Sequence, residues 1–299
     1  MIVLVGCGGD DGAVATDAAA IDAALDGAAA CTSPDDCPWI DDTLRDVVGK
    51  LAGERPIVAG GPLLTRRASV TERTTTREYL RDQLLAWGLP ATLQSYGGGT
   101  NVVVVLPSTT GATTPIIVVG GHYDGVAASP AAADDGTGTA LAMVAARYLG
   151  GLARRDLPIH VVLFDQEEIG LIGSTAYANQ LFVAATAVDS VHVFDMISFD
   201  GDADSALELW SATPSVAATY ALHAGPRNIP LRQVTFASSD HQSFLERRFA
   251  TVGCSEEFVS GDHTPHYHRA TDTYDKVDFP YLTRMTRLAL AVVSDRATL

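Results

Sequence analysis

The distribution of apolar positions divides residues 39–294 into short apolar runs and longer amphipathic stretches that follow one another along the chain. Short apolar runs bounded by turn residues predict buried strands, and longer stretches with a helical apolar period predict helices. Strands alternating with helices predict an α/β fold, a three-layer α/β/α sandwich with a mostly parallel central sheet. The predicted strands are 101–106, 116–121, 159–164, 191–194, 207–210, 231–236 and 249–252, and the predicted helices are 39–51, 71–87, 138–149, 170–181, 214–223 and 280–294.

The first 38 residues differ in composition from the rest of the chain. An apolar segment ending in Leu-Val-Gly-Cys resembles a bacterial lipoprotein signal in which Cys7 is lipidated, although the charged start of such a signal is missing. A chance cysteine after a few apolar residues is the alternative. Residues 8–30, rich in Ala, Asp and Gly, predict a disordered tether, and Cys31 and Cys37 predict a short disulfide loop. We therefore expect a signal remnant and tether over 1–38 and one folded domain over 39–299.

Composition and charge exclude several classes of partner. The chain has 299 residues, of which 47% are apolar, and it carries 36 acidic against 20 basic residues, a net charge of −16. With no basic patch to neutralise phosphates, nucleic acids and anionic membrane surfaces are excluded as partners. No apolar run is long enough to predict a transmembrane helix. We expect an exported monomer in the periplasm, on the outer membrane or outside the cell, with membrane contact only through a lipid anchor on Cys7.

Three predicted strands end in polar clusters. His122 and Asp124 follow one, Glu167 and Glu168 follow the next, and Asp195 follows a third. The carboxyl ends of parallel strands meet at one edge of a sheet, where ligands bind in open α/β folds. A His-x-Asp spacing suits a metal-binding imidazole whose second ring nitrogen is oriented by the carboxylate. In isolation, a hydrogen-bonded histidine and a solvated acidic turn are the alternative interpretations.

Two further segments supply ligand-type residues. Asp134 precedes a predicted helix, and residues 262–268 carry three histidines and an aspartate in an irregular loop. Imidazoles and carboxylates without thiolates are typical of catalytic zinc, and about five such ligands suit two zinc ions. Of the adjacent pair Glu167 and Glu168, one carboxylate can bind metal while its neighbour acts as a general base.

These motifs, taken in order, resemble the bacterial zinc aminopeptidases with a co-catalytic dinuclear site, of the secreted leucyl aminopeptidase type. The resemblance extends over roughly residues 70 to 290, and each motif alone is weak whereas the ordered set is specific. The matching stretches are Gly-His-Tyr-Asp at 121–124, Ala-Asp-Asp-Gly-Thr-Gly at 133–138, Phe-Asp-Gln-Glu-Glu-Ile-Gly-Leu-Ile-Gly-Ser at 164–174, Phe-Asp-Met at 194–196, Ser-Asp-His at 239–241 and Tyr-His at 267–268.

The resemblance implies a set of metal ligands. His122 and Asp195 correspond to ligands of one zinc ion, and Glu168 and His268 to ligands of a second. Asp134 corresponds to the ligand that bridges both ions. Peptides with a free N-terminus are the substrates that this family resemblance implies.

The resemblance also implies the residues that carry the reaction. Glu167 is similar to the family's general base, and Asp124 to the aspartate that orients the zinc-binding histidine. Tyr267 resembles a tyrosine that stabilises the developing oxyanion, and Asp272 is expected to orient His268. The implied activity is hydrolysis of the N-terminal peptide bond by two zinc ions and a glutamate base.

The sequence departs from the family's motifs at three points, and two alternative functions remain open. Asp135 replaces the usual Asn, the segment after His268 lacks the usual Thr-Pro, and His266 is a competing ligand. Glutaminyl cyclases share the scaffold and use one zinc ion, but they typically carry Trp at the position of Tyr267. A binding domain that has kept the fold and lost its metals is the non-enzymatic alternative.

Overall fold

The computed structural model describes residues 31–298, so the predicted signal at Cys7 and the tether over 8–30 lie outside the described residues. Eight strands are assigned: β1 Ala91–Tyr96, β2 Gly99–Leu106, β3 Ile116–His122, β4 Ile159–Phe164, β5 Val188–Phe194, β6 Leu207–Trp210, β7 Leu231–Val234 and β8 Thr251–Ser255. The α-helices are α1 Trp39–Leu51, α2 Val70–Ala86, α3 Gly138–Gly150, α4 Ile172–Val183, α5 Pro214–Ala224, α6 His241–Leu245 and α7 Phe279–Ala297.

The eight strands form one mixed sheet in the order β1-β2-β4-β3-β5-β8-β6-β7. The four central strands β4, β3, β5 and β8 are parallel to one another, whereas β1 pairs antiparallel with β2, β2 with β4, and β6 with β8. Crossover helices connect the parallel strands, as parallel pairing requires. The predicted α/β fold is confirmed.

The central strands contact a helical layer on each face. Ile117 and Val119 of β3 pack into the larger hydrophobic core, which includes residues of α1, α2, α3, α5 and α7. Ile116 and Val118 point the other way, into a smaller core with residues of α4 and α6. Successive side chains of a strand point to opposite faces of the sheet. A strand made of consecutive apolar residues is therefore buried on both faces. The continuous apolar character of β3 therefore follows from its position between two helical layers.

Two elements were not predicted. Strand β1 lies at the edge of the sheet, and its sequence Ala-Thr-Leu-Gln-Ser-Tyr leaves most positions partly exposed. Helix α6 is only five residues long, too short for a helical period to show. Strand β8 begins two residues later than predicted, at Thr251, and continues to Ser255.

Residues 31–38, which the sequence assigned to the tether, have a defined structure. Cys31 and Cys37 form the predicted disulfide, and Cys37 is buried in the larger core. Between them, Asp35 forms an ion pair with Arg227, in the turn that follows α5. The short disulfide loop thus packs on the domain because one of its own cysteines is a core residue. None of the helices in residues 31–298 has the length and apolar composition needed to span a bilayer.

We predict that Gly138→Ala destabilises the protein. Gly138 begins α3, and a Cβ there would overlap the carbonyl oxygen of Phe194 at the end of β5. Overpacking of this kind costs roughly 1–3 kcal/mol in the free energy of unfolding, measured by urea denaturation. Gly97→Ala is the matched control, because a Cβ at Gly97 meets nothing within 4 Å. Equal unfolding midpoints for the two variants would contradict the close approach of α3 to β5.

Candidate metal centre

The predicted site residues lie at the carboxyl edge of the parallel strands. His122 ends β3 and is aligned with Phe164, the last residue of β4, while Asp195 directly follows β5. The irregular turn Ala132–Thr137 before α3 brings Asp134 to the same edge. His268 comes from the long loop between β8 and α7 and has a backbone φ of 58°. Parallel pairing thus gathers residues that are far apart in sequence.

The five predicted metal ligands form two clusters that share one residue. In the first, Nε2 of His122 lies 3.3 Å from Oδ1 of Asp134 and 3.8 Å from Oδ1 of Asp195. In the second, Nε2 of His268 lies 3.0 Å from Oδ2 of Asp134 and 3.0 Å from Oε2 of Glu168. Within each cluster the ligand atoms lie within 4.8 Å of one another. Asp134 therefore offers one carboxylate oxygen to each cluster.

Several atoms of these clusters are buried without a hydrogen bond. Nε2 of His122, Oδ1 of Asp195 and Oε1 of Glu168 have no hydrogen-bond partner among the described residues. Buried polar atoms are normally satisfied, so such a concentration of them needs a physical explanation. Cations held between them would satisfy these atoms, and two imidazoles with three carboxylates form a donor set that suits zinc. The residues present therefore fit two zinc ions.

Asp124 contacts both the imidazole of His122 and the turn that carries the two glutamates. Its Oδ1 lies 3.4 Å from Nδ1 of His122, on the side of the ring away from the first cluster. The same carboxylate accepts hydrogen bonds from the backbone N–H groups of Glu167, at 3.0 Å, and Glu168, at 3.2 Å. Asp124 thus lies beside the imidazole, as the sequence predicts, and also holds the turn that carries the two glutamates.

Asp272 does not have the predicted contact with His268. Its carboxylate accepts hydrogen bonds from the backbone N–H groups of Ala133, at 2.8 Å, and Asp134, at 3.3 Å. The prediction that Asp272 orients His268 is therefore wrong, because the loop after His268 folds back under the turn at 132–137. Asp272 instead accepts a hydrogen bond from the backbone of Asp134, the residue that the two clusters share.

The carboxylate of Asp135 connects three elements, a role that the sequence analysis missed. Its Oδ2 accepts a hydrogen bond from the backbone N–H of His122, at 3.1 Å. Its Oδ1 accepts from the N–H groups of Gly138, at 2.8 Å, and Met196, at 3.2 Å. These donors belong to β3, α3 and the segment after β5. Asp135 was noted only as a departure from the family pattern, since nothing in the local sequence identifies such distant donors.

Burial and mutual repulsion perturb the acidic groups of the centre. Burial, together with the charges of Asp240 and Asp195, raises the pKa of Glu167 to about 10 against the opposing effect of His122. Burial and the charge of Asp134 raise the pKa of Glu168 to about 7. Burial also raises the pKa of Asp240 to about 7, and neither carboxylate oxygen of that residue has a hydrogen-bond partner among the described residues.

The pKa values of the two predicted histidine ligands are raised as well. Burial lowers the pKa of His122, but Glu167 and the carboxylates of Asp124, Asp134 and Asp195 outweigh it, so the pKa lies well above its ordinary value. The pKa of His268 is also raised, chiefly by its contact with Asp134. In the metal-free protein, the carboxylates that would otherwise face metal ions thus raise the pKa of both histidines.

A narrow cavity opens beside the two clusters. Its walls include Glu167 and, on the other side, the aromatic side chains of Trp210, Phe236, Phe258 and Tyr267. The ring of Tyr267 stacks on that of His268 with centroids 3.8 Å apart. The acidic clusters thus share this cavity with an aromatic wall.

His266, the competing ligand, lies outside both clusters. Its Nδ1 is 2.9 Å from the hydroxyl of Thr271, within the same loop. His268 is therefore the histidine of this loop that the fold brings to the metal centre.

The chain is similar to known proteins in sequence and in structure. Residues 101–293, more than half of the chain, match the family described as peptidase family M28. The chain is 29% identical over 184 residues to aminopeptidase YwaD of Bacillus subtilis, a match that covers 57% of this chain and 39% of that protein. The chain thus spans about two fifths of the length of this curated relative.

Solved structures share the fold. The LapA aminopeptidase of Legionella pneumophila superposes with a TM-score of 0.76 at 20% identity, over 93% of this chain and 75% of its own. BSAP, a zinc aminopeptidase from Bacillus subtilis, gives 0.62 at 23% identity, over 67% of this chain and 50% of its own. A glutaminyl cyclase of Bacteroides thetaiotaomicron gives 0.67 at 16% identity, over 85% and 97%. At these identities the similarity establishes the fold.

The raised pKa values of buried groups in the site predict how the stability of the metal-free protein depends on pH. Glu167 and His122 have raised pKa values in the folded state, so the folded protein retains protons that the unfolded chain releases. Stability should therefore fall as pH rises from about 7 to about 9. Buried histidines with lowered pKa values, such as His160, titrate below this window.

Thermal unfolding of the chelator-treated protein across this range measures the effect. In Glu167→Gln, stability should fall less steeply with rising pH, because the variant lacks the titrating carboxyl group of Glu167. Stability that rises with pH over the window would contradict the assignment.

Proposed function

Because the chain belongs to peptidase family M28, we propose that it is a zinc-dependent aminopeptidase that removes N-terminal residues from peptides. The observation that carries the proposal is the position of Asp134, whose two oxygens face two separate three-ligand clusters. One zinc ion would be held by His122, Asp134 and Asp195, and a second by Asp134, Glu168 and His268.

Zinc held at these positions would supply Lewis-acid polarisation of the scissile carbonyl and would lower the pKa of water. Two bound cations would lower the pKa of Glu167 from its raised value in the metal-free protein. Glu167 then serves as the general base, which takes a proton from the attacking water and returns it to the leaving amine. Support for this role comes from its position: Glu167 lines the cavity beside both clusters but belongs to neither. Asp124 holds the backbone N–H of Glu167 and so fixes where its carboxylate lies.

Tyr267 donates a hydrogen bond to the oxyanion that develops on the substrate. Its side chain lines the same cavity as Glu167, and burial raises the pKa of its hydroxyl, which keeps the proton available at neutral pH. The carboxylates around the cavity suit the positive α-amine of a peptide N-terminus. The proposed substrates are therefore peptides with a free N-terminus.

A glutaminyl cyclase activity with one zinc ion is the second candidate, and the similarity to a cyclase structure favours considering it. Two observations favour the aminopeptidase. The ligand set includes two clusters, and Tyr267 stands where cyclases typically carry Trp. A binding domain without metals is disfavoured by the buried ligand atoms of His122, Asp195 and Glu168 that have no hydrogen-bond partner among the described residues.

We further propose that the protein is exported as a monomer, with residues 39–299 acting as a single zinc peptidase domain. The disulfide between Cys31 and Cys37 supports an oxidising compartment. A lipid anchor on Cys7 remains a prediction from the sequence.

Zinc analysis of the purified protein tests the dinuclear site. We expect two zinc ions per chain at saturation, because Asp134 can bridge the two clusters. A panel of aminoacyl-anilides should be hydrolysed only when the α-amine is free, with N-acetylated substrates as the control. One zinc ion per chain together with cyclisation of N-terminal glutamine would support the cyclase instead.

Substitution of the two adjacent glutamates separates their roles. Glu167→Ala should retain both zinc ions and lower kcat by about 10²–10⁴-fold with little change in KM, as expected for loss of a general base. Glu168→Ala should weaken or release one zinc ion, because an anionic oxygen ligand is lost. Zinc content and kcat measured on both variants decide the assignment. Loss of metal from Glu167→Ala alone would reverse the two roles.

A further inference from the structure

Arg67 lies in the segment between α1 and α2, and its side chain is completely buried beneath the metal centre. Its Nε donates a hydrogen bond to the carbonyl of Tyr123, at 2.7 Å, and its Nη2 to the carbonyl of Ala131, at 2.8 Å. Its Nη1 donates to the carbonyls of Leu51, at 2.8 Å, and Pro130, at 3.1 Å. One guanidinium group thus binds four backbone carbonyls.

Three of these carbonyls belong to the loop that connects two metal ligands. Tyr123 directly follows His122, and Ala131 precedes Asp134 by three residues. The backbone of Arg67 takes part as well, since its carbonyl accepts a hydrogen bond from the N–H of Gly125, at 3.3 Å. Arg67 therefore holds both ends of the loop, which we call the 123–131 loop.

We propose that Arg67 is a positioning residue that sets the separation of His122 and Asp134 and so assembles the metal centre before any ion binds. The inference rests on the proposed metal site and extends it to a residue that contacts none of the ligand side chains. Two of the three ligands in the first cluster flank the 123–131 loop, so the first cluster depends on the loop most directly.

The chemistry of the guanidinium explains why arginine occupies this position. Its planar fork directs five N–H donors to several sides, whereas a lysine ammonium is a single point charge. Burial of an arginine is costly unless its charge is balanced. Here the carboxylates of Asp272, Asp135, Asp124 and Asp134 lie close enough to act on it electrostatically.

Arg155 provides a matched control elsewhere in the fold. It is also completely buried, and it donates hydrogen bonds to the carbonyls of Pro107, Leu149, Gly150 and Leu152. Arg155 lies beyond the end of α3 and before the start of β4, at the sheet edge opposite the metal centre. A lysine at either position keeps the charge and loses the fork.

The experiment compares the zinc affinity of Arg67→Lys, Arg155→Lys and the wild-type chain by competition with a chelator. Zinc affinity should fall about 10–100-fold in Arg67→Lys, as expected when groups that orient ligands are lost. It should stay unchanged in Arg155→Lys, although both variants lose stability. Wild-type affinity in Arg67→Lys, or an equal loss in both variants, would overturn the proposal. A wild-type chain that binds no zinc would overturn the proposed function and this inference together.

A measurement on the wild-type chain keeps the test decisive even if Arg67→Lys does not fold. Hydrogen exchange of the metal-free protein should show protected amides in the 123–131 loop, including Gly125, Ser129 and Ala131, whose N–H groups are hydrogen-bonded. Adding zinc should change this protection little. A loop that exchanges as unstructured chain until zinc is added would show that the metal orders it, against the role given to Arg67.

Discussion

The geometry of the candidate metal centre depends on the carboxylate of Asp134, because its two oxygens face different clusters. Oδ1 lies 3.3 Å from Nε2 of His122, and Oδ2 lies 3.0 Å from Nε2 of His268. A displacement of this one side chain would change both clusters at once. The fold accordingly holds the backbone of Asp134 through its N–H, which donates a hydrogen bond to Asp272.

The same edge of the sheet concentrates buried negative charge, which opposes folding unless it is compensated. Asp124, Asp135 and Asp272 are compensated by backbone N–H groups that donate to their oxygens. Asp195 and Asp240 retain buried oxygens without such donors among the described residues. Divalent cations and the buried guanidinium of Arg67 are the positive charges suited to this environment. The electrostatics of the centre and its proposed affinity for metal thus have one origin.

Much of the fold could be predicted because its central strands are buried on both faces. Their apolar runs, such as Ile159–Phe164, stand out from the flanking turns, and the predicted and observed bounds of β4 agree. Strand β1 could not be predicted, because an edge strand exposes polar positions and loses the apolar pattern. The segment 31–38 was assigned to the tether, since nothing in its composition reveals that Cys37 is a core residue.

The sequence by itself determined which ligand-type residues follow the strands, and therefore that His122, Glu168 and Asp195 would meet at one edge. Only the tertiary structure decided which groups hold them in place. Asp272 binds the backbone of a turn that lies 138 residues earlier in the chain, and Arg67 binds the 123–131 loop from another segment. The physical reason is that a side chain's chemistry is local, whereas its hydrogen-bond partners are chosen by packing between distant parts of the chain.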